Sequence, residues 1–153
     1  ASWRIAGQES AFIAEERVLE ACQVRHGMPC ALVAVNDNMV ASDPRGLPRS
    51  MPRVTYAGSF DPTQVPAVAR TTRERADIVG YPAQRGPKAV AMHPWGRLFV
   101  ATGAASQHAA EEQALAACNK DPDRDGKDGV CLLYAANDAV VLARRATTPI
   151  APP

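Results

Sequence analysis

The chain has 153 residues, 46% hydrophobic and 22% charged, with a formal net charge of +1. That is one domain's worth of sequence at roughly 150 residues per domain; the near-neutral balance argues against a general nucleic-acid binder, and no run approaches the ~20 apolar residues of a membrane span. Aromatic residues make up 5%, and three lysines (Lys88, Lys120 and Lys127) stand among the 17 basic residues, so the expected core is Ala, Val and Leu and the positive charge is mostly arginine.

In chain order, Trp3-Arg4-Ile5-Ala6 leads to Gly7, and Ser10 stands where a helix should begin, because its hydroxyl can accept an orphan backbone N–H. Glu15 and Glu16 fall in the first two turns, where the helix dipole favours negative charge. Ala14, Val18, Leu19, Ala21 and Cys22 recur at helical spacing, and Ala21-Cys22 closes the expected helix. Cys30-Ala-Leu-Val-Ala-Val35 reads as a strand, Asn36-Asp37-Asn38 as a turn, and Met39-Val40-Ala41 as a return strand.

Residues 41–88 hold seven of the 13 prolines and eight basic against four acidic residues, about +4 while the remainder sums to −3. Pro44, Pro48 and Pro52 are each followed by an arginine (Arg45, Arg49, Arg53), a pattern suited to an extended arm because proline disfavours helix in the residue before it. Arg70-Thr-Thr-Arg73-Glu-Arg75-Ala-Asp77 suggests a short helix, with Val65, Val68, Ala69 and Ala76 on its apolar side. Two readings stand side by side: a solvated linker, or an arginine arm gripping carboxylates of a partner.

Lys88–His93, the turn Pro94-Trp95-Gly96 and Arg97–Thr102 predict a hairpin. A helix capped by Ser106 follows, with Ala110, Ala114, Leu115, Ala117 and Cys118 at helical spacing. Asp121-Pro-Asp123-Arg-Asp125-Gly126-Lys-Asp128-Gly129 comes next. Alternating aspartates before a glycine resemble the opening of a calcium loop, which nominates Asp121, Asp123, Asp125 and Asp128 for a possible Ca2+. The twelfth position is Leu132 and not a bidentate glutamate, and Lys120, Arg124 and Lys127 offset the charge, so a plain polar loop is the competing reading. Cys131–Ala136 and Val140–Ala143 complete the series as strands around Asn137-Asp138.

The two ends of the chain match. Gly7, Ser10, Ala14, Glu15, Glu16, Leu19, Ala21 and Cys22 recur 96 positions later; Cys30, Leu32, Ala34, Asn36, Asp37 and Val40 recur 101 positions later, after a five-residue insertion. The expected architecture is α+β: two tandem ββαββ-like repeats with antiparallel sheet and one helix each, the first lacking its opening strand. The first repeat covers 1–41, the connecting segment 42–87, the second repeat 88–146 and a tail 147–153, within one domain. A trimmed or processed front, residues 53–57, or a partner's strand added to the open edge could each supply the missing strand.

Of three connectivities for four cysteines, Cys22–Cys30 with Cys118–Cys131 alone respects the duplication. Zinc is disfavoured by the absence of Cys-x-x-Cys spacing. Disulfides place the protein in the periplasm or outside the cell. The Ala-Glu-Glu-x-x-x-Leu-x-Ala-Cys helix followed by Cys-x-Leu-x-Ala-x-Asn-Asp resembles small two-cysteine domains of unknown function in secreted bacterial proteins. The resemblance covers both repeats but not 41–87, implies a disulfide-bonded extracytoplasmic module, and transfers no catalytic residue.

No catalytic signature is present. His26, His93 and His108 hold unrelated positions, His93 reads as a solvated turn residue, and Ser10, Ser59 and Ser106 lack a nucleophile elbow. The leading expectation is a non-enzymatic binding module that docks on another protein subunit through the sheet edge near Trp3 and the arginines Arg45, Arg49, Arg53, Arg70, Arg73 and Arg75. The alternatives are a hydrolase-type enzyme with a site between the repeats and a calcium-stabilised structural module.

Overall fold

The computed structural model describes residues 2–40, 54–124 and 129–144. Helix α1 spans Ala11–His26; the Ser10 hydroxyl accepts the Ile13 N–H at 3.2 Å, and Gly27 ends the helix in the left-handed conformation (φ 72°). It runs on past Cys22, where its spacing predicted an end, because Gln23 and Val24 are buried there. Strands β1 (Ala34–Val35) and β2 (Asn38–Met39) form a two-residue hairpin. Asn36 and Asp37 sit at φ 47° and 65°, the positive pair that a type I′ turn requires and that short polar residues tolerate best. Trp3–Ala6 belongs to no strand.

The second half has the order its sequence predicts: β4 (Lys88–His93), β5 (Arg97–Thr102), α4 (Gln107–Asn119), β6 (Leu132–Ala136) and β7 (Ala139–Val140). These strands and β3 (Gly58–Ser59) build a five-stranded antiparallel sheet in the order β3-β7-β6-β4-β5. Pairing of β4 with β6 shifts register at Tyr134, a bulge that leaves both Tyr134 and Ala135 in one apolar cluster.

The sheet is covered on both faces. On one, Ala89, Ala91 and Ala101 meet Ala110, Ala114 and Cys118 of α4, with Cys131 between them; methyl-sized side chains let helix and sheet approach closely, which accounts for the alanine bias. On the other, Val90, Met92, Leu98 and Tyr134 pack against Ala21 and Val24 of α1 and against Phe60, Val65, Val68, Ile78 and Tyr81.

The last five residues belong to the connecting segment, and they correct its reading as a linker. From Val54 to Pro87 it forms one wall of the core. Its predicted helix divides into two single turns, α2 (Arg70–Arg73) and α3 (Ala76–Val79). Residues 54–57 do not restore a strand to the first half; β3 pairs with β7 instead, and the Phe60 N–H continues that contact to the Asp138 carbonyl at 2.8 Å. Phe60 stacks on Tyr81 and Tyr134 with ring centroids 4.7 and 5.9 Å away, so a ring-poor chain gathers three of its rings in one place.

Lys88 is buried at the start of β4. Its ammonium donates to the carbonyls of Tyr81 (3.0 Å), Pro82 (3.2 Å) and Gln84 (2.9 Å), and lies 2.6 Å from Asp138 Oδ1. One charged head therefore ties the end of the connecting segment to the β6–β7 turn. A buried ammonium is tolerable only with such a full set of partners.

Candidate functional site

Both disulfides join the predicted partners, Cys22 to Cys30 and Cys118 to Cys131, with Cα–Cα separations of 6.2 and 6.0 Å. The local geometry around them repeats. Gly7 and Gly103 take φ 67° and 70° ahead of their helices, and Ser10 and Ser106 cap them alike (3.2 and 3.1 Å). The first hairpin pairs Ala34 with Met39 and Val35 with Asn38; the second pairs Ala135 with Val140 and Ala136 with Ala139, each residue 101 positions on. The Val40 N–H reaches the Val33 carbonyl at 2.9 Å and the Val141 N–H the Tyr134 carbonyl at 2.8 Å.

Their surroundings differ. In the second half, β6 lies between β7 and β4. In the first, β1 pairs with β2 and with no other strand among the described residues, and Val33 and Met39 are 56% and 75% exposed. The helices differ in the same sense. Helix α4 buries Ala110, Ala114 and Cys118 against the sheet, whereas their counterparts Ala14, Val18 and Cys22 on α1 are only half-buried. Helix α1 buries Leu19, Ala21, Gln23 and Val24 instead, turning another face to the molecule.

Next to this stripe lies a cleft of about 330 Å³ between Trp3–Ala6, α1 and the β4–β5 turn. Both tryptophans line it, with Arg4, Gln8, Arg17 and Val18. The Trp3 indole N–H donates to His26 Nε2 at 3.0 Å, and Trp95 is 54% exposed. Arg17 is held by Gln8 Oε1 at 2.6 Å while its Nε–H lacks an acceptor among the described residues. Gly96 makes room for that guanidinium, since a Cβ there would lie 3.0 Å from Nη2. Among the described residues the lining includes no Ser, Cys, His, Asp or Glu. Its chemistry is that of an aromatic and cationic contact surface.

The nominated arginines divide. Arg45, Arg49 and Arg53 lie outside the described residues. Arg70 pairs with Glu74 on an exposed turn (2.6 Å). Arg73 donates to the Val65 carbonyl (2.7 Å) and faces Glu20 at 3.6 Å. Arg75 donates to the Leu98 carbonyl (3.1 Å) and to Asp77, whose carboxyl it holds below the usual carboxylate range. The latter two fasten the connecting segment to α1 and β5. Trp3 stands apart from all three, on the cleft.

The acidic loop is claimed in part by arginine. Arg97 reaches Asp121 Oδ2 (3.4 Å) and Asp123 Oδ2 (3.0 Å), and the buried Arg124 donates to the carbonyls of Gly129 and Cys118, both at 3.1 Å. Asp125 and Asp128 lie outside the described residues, among which no group of three or more His, Cys, Asp or Glu side chains could hold a metal. The histidine expected in solvent, His93, is fully buried; its Nδ1 accepts the Trp95 N–H at 3.2 Å and so braces the turn. Sequence reasoning missed this brace and Lys88, because a single polar residue in an apolar strand announces no partner.

Compared with protein-family models, curated proteins and solved structures, the chain matches none. No helix among the described residues is long and apolar enough to cross a membrane.

Proposed function

We propose that this chain is a non-enzymatic, extracytoplasmic docking module built from two related ββαββ-like units, in which the second unit with the connecting segment is the scaffold and the first is the contact surface. The two disulfides support the compartment, since such bridges persist where thiols are not kept reduced. The repeated caps, hairpin registers and bridges support the duplication. One observation carries the functional reading: the first unit has the helix and hairpin of the second, but its stripe of Ala14, Val18 and Cys22 is half-exposed and its hairpin bears Val33 and Met39 in solvent. The adjoining cleft adds two indoles and two guanidiniums, residue types enriched where proteins meet. The partner is another protein.

Photo-crosslinking tests this reading in the cells that make the protein. A photoreactive residue replaces Val33 in one variant and Val79 in another, both 56% exposed. A discrete crosslinked protein at position 33 and none at 79 is the expected result; equal or absent crosslinking at both overturns it.

A further inference from the structure

Among the described residues, the second unit has a strand that its counterpart lacks. Strand β4 lies antiparallel to β6, pairing Val90 with Ala135, and turns Ala89 and Ala91 toward α4. In the first unit, Val40 bonds back to Val33, so antiparallel geometry aims the N–H and C=O of Ala34, and of Leu32 two residues earlier, away from β2. The stripe of Ala14, Val18 and Cys22 is placed on α1 as the sheet-facing stripe is placed on α4.

Resting on the docking reading above, we infer that the partner contributes a β-strand to the Leu32–Val35 edge, antiparallel to β1 with alanine-sized side chains alternating toward Ala14, Val18 and Cys22. The internal β4, with its Lys-Ala-Val-Ala-Met-His sequence, is the template. Small residues are required on that side because Val18 replaces Ala114 and leaves less room. The strand belongs to a folded partner. Ala34 pairs with Met39, so Val33 and Met39 point to opposite faces of the hairpin; α1 can shelter one face, and a strand carried on another protein brings apolar surface to the other.

The probe is a synthetic peptide of residues 86–95, which contains β4, titrated into the isotope-labelled protein and followed by amide and methyl NMR. Saturable one-to-one shifts are expected at Leu32–Val35 and at the methyls of Ala14 and Val18. A peptide of the same composition with its alternation scrambled should bind at least roughly tenfold more weakly, and so should β4 peptide with the variant Ala34→Pro, which removes the outward N–H. Unchanged shifts at β6 and β7 show that this variant keeps its fold. Equal binding of both peptides, no shift at the edge, or shifts explained by pairing of two copies at higher protein concentration would overturn the inference. If the peptide fails while position 33 still crosslinks to a protein, strand addition is wrong and docking stands; if position 33 captures nothing, docking itself fails.

Discussion

Val33 and Tyr134 hold the same place in their hairpins, each accepting a hydrogen bond from the residue seven positions on, yet Val33 is 56% exposed and Tyr134 1%. The difference lies in what surrounds them. Tyr134 is enclosed by β4, Phe60 and the connecting segment; Val33 has no such enclosure among the described residues. Burying one Val side chain yields about 1.5–3 kcal/mol, so this surface holds a substantial part of what a partner contact could use.

The Lys88 ammonium should be the most consequential single group in the scaffold. Lys88→Met leaves three carbonyls without their charged donor and should cost about 2–4 kcal/mol, read as a lower urea midpoint. Asp138→Asn should cost under about 1 kcal/mol, because that carboxylate is 80% exposed and solvent can replace its pairing. Equal losses from both would show that the ion pair, and not the carbonyl cage, does the holding.

The two disulfides should differ in weight. Their loops, with separations of 8 and 13 residues, predict roughly 2.5–3 kcal/mol each from chain entropy. Cys118 and Cys131 are also buried in the alanine layer, whereas Cys22 and Cys30 are half-buried. Replacing both members of the second pair by Ala should therefore lower the midpoint further than replacing both members of the first. Denaturant melts of the two double variants decide the order.

Alkaline unfolding should track two phenols. Burial pushes Tyr81 and Tyr134 well above the usual tyrosine range, with the Asp138 and Asp61 carboxylates adding to it. A folded-state value raised above the unfolded one gives stability that is present below about pH 10 and is lost as pH rises further. Both tyrosines should ionise together with loss of near-ultraviolet dichroism. Their full titration in a still-folded protein would contradict the packing described.

Calcium should leave the melting midpoint unchanged. Arg97 already occupies Asp121 and Asp123, and a cation would have to displace it. A rise in midpoint with millimolar calcium, reversed by chelator, would restore the calcium-loop reading.

Much of the second half was legible in its residues. Lys88–Thr102 alternates around a Pro-Trp-Gly turn, Ser106 caps a periodic helix, and a cysteine at the helix end is followed by one at the next strand, as in the first half; each is a local rule obeyed locally. The connecting segment was not, because Phe60, Val65, Val68, Ile78 and Tyr81 stand singly among prolines and arginines without helical or strand period. Their burial depends on a sheet whose four strands other than β3 all lie later in the chain. Nor was the face that α1 buries: Leu19, Gln23 and Val24 against Ala14 and Val18 is a choice made by tertiary packing. The arginines misled for a related reason, since Arg73 and Arg75 find backbone carbonyls that composition cannot show.

Residue-resolved hydrogen exchange on the isolated protein tests most directly whether the first unit presents an unfilled surface. The amide of Ala34 should exchange at least roughly a thousandfold faster than that of Ala135, its counterpart inside the five-stranded sheet, because local opening there costs little beside the opening of a core strand. Matching slow exchange at the two positions would mean that the first hairpin is already covered within the chain, and would contradict the account.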